Sequence, residues 1–372
     1  MMMEARVATH GSSVAAKAGR LPARADEPGS GECPARARIK WPRWPLASLA
    51  SAARALAYFL LPIVIVAVLP LIPFVNNYII AATVRALIFI SLGQAWNIVA
   101  GIGGQLSLGH GVFLGLGCYT TGILFNRYGV PPWIGGWAAM VLSLAVAFVM
   151  GSMTLRMRGV FFALATVAVS LALVQLSRHF VDLTGGADGL ALKFVGNSLW
   201  AMQARSPVPF LYAALAFVVT YYAITRWLLG SNFGLDMQAV RDDEVAAAAA
   251  GVAVFRTKLL GFLLSAAMTS LAAVLYIQYY MAIDPEAAFG LSQAIQLQLP
   301  ALLGGLGTAL GPVIGGAVMI FLSEVTNWGS TKLGIEGVDI LVYGLLLLIV
   351  ILRAPNGIVG LVFKNTLRGG AR

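Results

Sequence analysis

The feature that most constrains this chain is a series of long apolar runs with few charges, which begins at Leu56. A helix needs roughly 20 apolar residues to cross about 30 Å of hydrocarbon, and most of these runs reach that length. The sequence therefore predicts an all-α fold, a polytopic transmembrane helical bundle with about ten spans. The candidate spans lie at about 56–75, 79–100, 106–125, 132–153, 159–178, 208–229, 259–281, 292–306, 311–328 and 338–353.

The distribution of basic residues predicts the orientation of this bundle. Ten spans place both termini in the cytoplasm, and about three quarters of the 25 Lys and Arg residues then fall in cytoplasmic segments. That bias is the one that the positive-inside rule describes. The third and eighth candidate spans are short or interrupted by glycine. Eight spans with two re-entrant segments is therefore the alternative count, and it preserves the same orientation.

Composition excludes several other classes of protein. Only 11% of the 372 residues are charged, against about 25% in soluble domains. The net charge of +10 would indicate a nucleic-acid partner in a soluble protein, but here the basic residues flank apolar spans, so membrane lipid is the expected partner and nucleic acid is not. The two cysteines are far apart and the three histidines are scattered, so we expect no disulfide framework, no metal site and no cofactor.

The chain divides into a hydrophobic domain between two basic ends. Residues 1–54 are rich in Ala, Arg, Gly and Pro without an apolar period, which predicts a disordered cytoplasmic tail. Residues 55–362 form the predicted transmembrane domain, and 363–372 form a second basic cytoplasmic tail. The N-terminal tail lacks the apolar region and small-residue cleavage site of a signal peptide.

No catalytic motif is present, and the chain is not expected to be an enzyme. The phosphate-binding pattern GxxxxGK[ST] is absent, as are HExxH and GxSxG. Work against a gradient would therefore draw its energy from a partner protein or from an ion gradient. The ionisable residues within the spans are Arg85 and Glu324, both near span ends, and we expect them to be interfacial or paired structural groups.

Two connections between spans are long. The outer one, at about 179–207, has turn chemistry at Gly185-Gly186 and at Asp188-Gly189. The inner one, at about 230–258, contains AVRDDEVAAAAAGV, where acidic residues precede an alanine-rich stretch that ends at Gly251. Acids favour the first turn of a helix, alanines extend it and glycine suits its end. We expect a short helix that fits a groove on another protein; a solvated connector is the alternative.

At this inner connection the chain resembles the ATPase-coupling motif of ABC importer permeases, in which Glu-Ala-Ala is followed by Gly four residues later. Ala246, Ala247 and Gly251 match, whereas Val245 stands where the family has Glu and Glu244 lies one place earlier. More closely, the chain resembles the LivM-like permease subunits of branched-chain amino acid importers over about residues 80–362. The segments that carry this resemblance are 97–119, 155–170, 183–190, 239–252 and 301–317.

The resemblance implies a permease subunit in the bacterial inner membrane. Its partners would be a homologous second permease in a heterodimer, two cytoplasmic ATPase subunits and a periplasmic substrate-binding protein. The implied ATPase-coupling residues are Arg241, Asp242, Asp243, Glu244, Ala246, Ala247 and Gly251. The candidate docking residues for the binding protein are Gly185, Gly186 and Asp188, for which a tight surface turn is the alternative. Uptake of urea or short amides, an ion-coupled secondary transporter and a structural scaffold stay open as alternative functions.

Glycines interrupt the helical pattern at two places, GIGGQ (101–105) and GGLGTALGP (304–312). Broken helices expose backbone groups that lipid cannot satisfy, so they belong inside protein or beside a watery cavity. Glycine pairs at 111/115 and 311/315 predict flat faces for close helix packing. Polar side chains near these features are the candidate pathway residues: Asn97, Gln105, Ser107, His110, Thr166, Ser170, Gln293 and Gln296. A helix that begins near Ser107 would attract the carboxylate of an amino acid.

Overall fold

The computed structural model describes residues 63–72, 75–157, 159–333, 344–345 and 357–362. Three predictions therefore lie wholly or largely outside the described residues, namely the N-terminal tail, the tenth span and the C-terminal tail. The first predicted span is described in part, at residues 63–72 and 75. Residues 63–68 are helical and continue into a 3-10 turn, Leu69–Leu71.

The described part of the chain is almost entirely helical, as the sequence predicts. The helices are α1 Asn77–Asn97, α2 Gly111–Tyr128, α3 Pro132–Thr154, α4 Val160–His179, α5 Val181–Thr184, α6 Val208–Gly230, α7 Asn232–Asp242, α8 Glu244–Ala249, α9 Val254–Tyr280, α10 Pro285–Phe289, α11 Leu291–Gly304, α12 Gly311–Leu333 and α13 Gly357–Val362. A π-helical segment, Ile98–Ile102, extends α1, and a 3-10 turn covers Gly186–Asp188. Two short strands, β1 Leu190–Ala191 and β2 Ala282–Ile283, pair antiparallel.

Five helices are long and apolar enough to cross a membrane: α1 with its π extension, α3, α4, α6 and α9. They confirm a helical multi-pass protein, and the second to ninth predicted spans each coincide with a helix. Helix α11 has 14 residues, about 21 Å, which is too short to cross hydrocarbon alone. The total number of spans and the side of each terminus stay predictions.

The start of the seventh span differs from its prediction. Helix α9 begins at Val254, five residues before the predicted start of the seventh span. The sequence placed the charged residues Arg256 and Lys258 in a connection. In the structure Lys258 is buried and forms an ion pair with Glu244 of α8, which compensates its charge.

Two helices form the centre of the bundle. In α1 and α9 the most apolar window is 78% and 72% buried, whereas in α3, α4 and α6 it is 28–39% buried. Buried side chains from α1, α2, α9 and α11 form one continuous apolar core around them. The outer faces of α3, α4 and α6 are therefore left for lipid or for another protein.

The connections gather at two opposite ends of this bundle. The break end holds the non-helical segments 103–110 and 305–310 together with α7 and α8, and the strand end holds β1 and β2. Helix α9 joins the two ends over 27 residues, about 40 Å. At the strand end, the side chain of Asn126 donates to the Ala191 carbonyl. Each described connection thus lies at the end that the predicted alternation of spans assigns to it.

The two predicted glycine faces do pack closely. A Cβ atom added at Gly115 would lie 2.2 Å from the ring of Phe289 in α10. One added at Gly315 would lie 2.0 Å from the carbonyl oxygen of Pro300 in α11. Glycine therefore allows the Phe289 ring of α10 to pack on the backbone of α2, and it allows α12 to contact α11 backbone to backbone.

Candidate functional site

The two glycine breaks predicted from the sequence lie against each other at the break end. Asn97 is the last residue of α1, just before the first break, and its side chain bonds an amide and a carbonyl of the second break. Its Nδ2 donates to the Thr308 carbonyl at 2.9 Å, and its Oδ1 accepts from the Gly307 amide at 2.9 Å. Asn97 is fully buried, so this contact replaces water for two backbone groups inside the bundle.

The first break, residues 103–110, is held by side chains from three helices. The Ser107 carbonyl accepts from Trp96 Nε1 at 2.8 Å and from Gln298 Nε2 at 3.3 Å. The Leu108 amide donates to Thr166 Oγ1 at 3.2 Å. The hydroxyl of Ser107 is buried and has no hydrogen-bond partner among the described residues. It is therefore free to bond a passing polar group or water.

His110 precedes α2 and is completely buried. Its Nε2 lies 2.8 Å from the hydroxyl of Ser265, which donates in turn to the Ala95 carbonyl at 2.6 Å. The imidazole meets the rings of Phe113 and Phe262 edge to face. These contacts hold α1, α2 and α9 together.

Helix α2 begins at Gly111, four residues after the predicted start near Ser107.

The remaining pathway candidates occupy different surroundings. Ser170 is buried and donates to the Phe289 carbonyl at 2.6 Å, which fixes α4 against α10. Gln293 is buried, and its Nε2 has no partner within the described part of the chain, whereas Gln296 is exposed. Gln105 is partly buried, and neither polar atom of its amide is bonded to a described residue. The predicted set is thus divided between bonded structural groups and unbonded amides.

The structure adds two polar residues that the sequence analysis missed. Gln94 in α1 and Gln278 in α9 are both fully buried, and the polar atoms of both side chains lack partners among the residues described. An unpaired amide in a protein interior is costly, so such groups commonly mark a role in binding or transport. The signal for them was present, since each is a glutamine inside an uninterrupted apolar run.

A cavity of about 460 Å³ opens at the strand end. Its lining includes the carboxylates of Asp188 and Asp284 and the rings of Tyr276 and Tyr280. Gln293 lies close to Tyr276. Carboxylates beside aromatic rings suit a ligand that has both a cationic and an apolar part.

The predicted docking turn borders this cavity. Gly185 and Gly186 both have positive φ, at 81° and 66°, so the tight turn requires glycine there. Asp188 ends the following 3-10 turn with an exposed side chain. Pairing of β1 with β2, which places Leu190 opposite Ile283, fastens this loop to the end of α9.

At the break end, a second cavity of about 240 Å³ lies between the first break, the start of α4 and the coupling segment, which we define as α7 and α8 (residues 232–249). Gln105, Glu244 and Lys258 are among its lining residues. The cavity therefore combines an unbonded amide with an ion pair that links α8 to α9.

The coupling segment forms the short helix that the sequence predicts. Asp243 caps α8, since its Oδ1 accepts from the Val245 and Ala246 amides at 2.8 and 3.1 Å. Gly251 follows the helix with a φ of 91°. Arg241, in the last turn of α7, pairs with Asp242 and donates from Nη1 to the Gly101 carbonyl at 3.1 Å.

The two ionisable residues within the spans form a pair, one of the two roles expected for them. Arg85 Nη2 lies 2.8 Å from Glu324 Oε1, and the hydroxyl of Tyr78 also donates to Glu324. The pair fastens α1 to α12. Within the described ranges, no group of three His, Cys, Asp or Glu side chains is arranged to hold a metal ion.

Comparison with known proteins gives consistent matches. The model of the family described as "Branched-chain amino acid transport system / permease component" matches residues 78–351. The high-affinity branched-chain amino acid transport system permease protein LivM of Salmonella typhimurium is 27% identical over 296 residues, 73% of this chain and 68% of LivM. The permease protein LivH of Escherichia coli is 25% identical over 292 residues, 73% of this chain and 93% of LivH. No solved structure gives a significant match.

Replacement of Asn97 by Leu tests whether the two breaks depend on this side chain. Leu has a similar volume but leaves the Gly307 amide and the Thr308 carbonyl buried without a partner, at about 1–3 kcal/mol for each group. We expect the free energy of unfolding to fall by roughly 2–5 kcal/mol in an SDS titration of the chain in mixed micelles.

Asn126→Leu is the matched control, because Asn126 also bonds two backbone groups, at the strand end, but water reaches them. Its unfolding free energy should change by less than about 1 kcal/mol. Equal losses in the two variants would show that Asn97 has no special role.

Proposed function

Because the chain belongs to the family of branched-chain amino acid transport permease components, we propose that it passes branched-chain amino acids across the bacterial inner membrane as one permease subunit of an ABC importer. The observation that carries this proposal is the family match over residues 78–351. We assign the permease domain to residues 55–362, between the two basic tails of the sequence. Both termini lie in the cytoplasm in this proposal, and the break end is cytoplasmic.

The exposed surface of α8 supports docking of a cytoplasmic ATPase. Ala247 is buried against the bundle, whereas Val245 is 67% exposed and the other alanines of the helix face outwards. Small side chains allow a second protein to approach the helix closely. Since Asp243 and Gly251 fix both ends of α8, this surface exists before any partner binds. Two ATPase subunits would drive the importer, one at this surface and one at its counterpart.

Similarity to both LivM and LivH indicates a second, homologous permease as partner. The weakly buried helices α3, α4 and α6 offer the apolar faces that such a heterodimer needs within the membrane. A periplasmic binding protein would complete the system at the strand end. We propose that it docks on the turn around Gly185, Gly186 and Asp188, which borders the cavity of about 460 Å³.

The buried polar groups define a proposed route for the substrate. It begins at the strand-end cavity, where Asp188 and Asp284 would attract the ammonium group and Tyr276 and Tyr280 would contact the aliphatic side chain. The route continues past the unbonded side chains of the interior and ends at the break-end cavity. The residues that we assign to it are Gln278, Gln293, Gln94, Ser107 and Gln105. Side-chain amides without other partners can hydrogen-bond the charged groups of a zwitterion, which lowers the free-energy cost of taking it out of water. A few such bonds do not hold the substrate tightly.

Four of the candidates serve this route as scaffold. Asn97 bonds the second break, Thr166 bonds the first, and Ser170 and the Nε2 of His110 bond other helices, whereas His110 Nδ1 has no partner among the described residues. They would keep the walls of the route in place. Gln296 is exposed on α11 and could reach the route only at the interface with the partner permease.

Reconstitution tests the proposed function directly. The complex of both permeases and two ATPases is placed in proteoliposomes with the binding protein outside, and uptake of labelled leucine, isoleucine, valine and urea is measured. We expect uptake of branched-chain amino acids only with ATP inside the vesicles.

Uptake by the chain without any ATPase would instead identify an ion-coupled carrier. ATP-dependent uptake of urea with none of leucine would identify an amide importer. Arg85 and Glu324 neutralise each other in an ion pair, so neither is an unpaired charge that could couple transport to an ion.

Ala248→Trp tests the docking surface on α8. An indole at this exposed position should block close approach of the ATPase, because the contact there depends on small side chains. We expect co-purification of the ATPase and uptake to fall at least tenfold. Ala248→Ser keeps a small side chain at the same exposed position, so it is the control and should leave both unchanged. Normal ATPase retention by Ala248→Trp would exclude this surface.

Replacement of Asp188 and Lys193 by Ala tests the docking turn at the strand end. Both side chains are exposed, so the fold should be retained while the affinity for the binding protein falls by about tenfold, equal to 1.4 kcal/mol. Asp236→Ala in α7 removes a carboxylate from the opposite end as a control. Unchanged affinity in the double variant, measured on nanodisc-embedded complexes, would exclude docking through these side chains.

A further inference from the structure

Arg241 lies where the coupling segment meets both glycine breaks. Its Nη1 donates to the Gly101 carbonyl at 3.1 Å. Its aliphatic stem packs against Gly104, where an added Cβ would be only 2.3 Å from Arg241 Cγ. A Cβ added at Gly307 would be 3.2 Å from Arg241 Nη1. One side chain of the coupling segment thus contacts the π-helical end of α1, the first break and the second break.

The backbone carbonyls at this contact are stabilised by a positive charge. Gly101 lies in the π-helical segment Ile98–Ile102 that ends α1. The last carbonyls of a helix lack intrahelical partners and carry the negative end of its dipole. A guanidinium supplies a permanent positive charge and several donors in a fixed plane. On the opposite edge of the guanidinium, Nε of Arg241 donates to Asp242 Oδ1 at 3.1 Å, and this bond fixes the orientation of the guanidinium plane.

The second break is joined to the first independently of Arg241. Asn97 bonds Gly307 and Thr308, so the second break is fastened to the helix that leads into the first. The coupling segment is also fastened to α9, through the ion pair of Glu244 with Lys258. A displacement of the coupling segment therefore reaches the two breaks through Arg241 in α7 and reaches α9 through Glu244 in α8.

We propose that Arg241 is the positioning residue through which movement of the coupling segment sets the conformation of both broken helices. ATP-driven motion of the ATPase would break or restore the contact between the guanidinium and Gly101. The change in this contact would in turn alter the width of the break-end cavity. The inference rests on the proposed function and adds the element that transmits force. It assigns to Arg241 a contact inside the permease rather than a contact with the ATPase.

The test compares Arg241→Met, which keeps the aliphatic stem without donors, with Arg241→Lys, which keeps the charge. Arg256→Met removes an exposed arginine at the same end and is the control. The first measurement is hydrogen exchange of the full chain in nanodiscs. We expect exchange of the Gly103, Gln105 and Gly307 amides to rise at least tenfold in Arg241→Met and less in Arg241→Lys. Arg256→Met should match the wild type.

The second measurement is the number of substrate molecules moved per ATP hydrolysed by the reconstituted complex. In Arg241→Met we expect ATP hydrolysis within twofold of the wild type and a coupling ratio reduced at least tenfold. Arg241→Lys should recover part of that ratio. A merely structural role would lower the amount of assembled complex and leave the ratio of the remaining complexes unchanged.

Three outcomes would overturn the inference, and they are distinguishable. Unchanged amide exchange in Arg241→Met would show that the guanidinium does not hold the breaks. Faster exchange with a normal coupling ratio would show a static fastening, and the proposed function would stand in both of these cases. Absence of ATP-dependent uptake by the wild-type complex would overturn the proposed function together with this inference.

Discussion

The structure depends on one requirement, that every backbone polar group inside a membrane finds a partner within the protein. Two helices of this chain stop inside the bundle, at Ile102 and at Gly304, and each leaves carbonyl and amide groups unpaired. The second interrupted segment meets this requirement through Asn97 at the end of α1, and the first meets it through Trp96, Gln298 and Thr166. Close approach of the backbones at Gly101 and Gly307 makes this possible, because either position would clash with a larger side chain.

This requirement also separates the two kinds of polar residue in the interior. Side chains such as Ser265 and Ser170 complete the hydrogen bonding of the scaffold. Gln94 and Gln278 are equally buried but have unbonded amides within the described structure. Groups of the first kind hold helices in place, and groups of the second kind are those that we propose for the substrate route. The distinction comes from bonding, since the two kinds of residue are equally polar in the sequence.

Helix positions, the two breaks and the coupling helix could be predicted from sequence, because each has a local cause. Apolar run length determines α1 and α9, glycine clusters determine the breaks, and Asp243 with the following alanines determines α8. The partners could not be predicted, because they come from residues distant in the chain. The bond between Asn97 and Thr308, 211 positions apart, has no signature in either segment. Lys258 looked like the flank of a span and is instead buried in its first turn.

The capped ends of α8 have a consequence for assembly with a partner. A six-residue helix is unstable in isolation, since nucleation fixes several residues for few hydrogen bonds. Here the Asp243 cap, the ion pair of Glu244 and the left-handed turn at Gly251 order the helix within the permease. A protein that binds it therefore loses no conformational entropy in the helix on association. Such an interface can therefore be small and still persist.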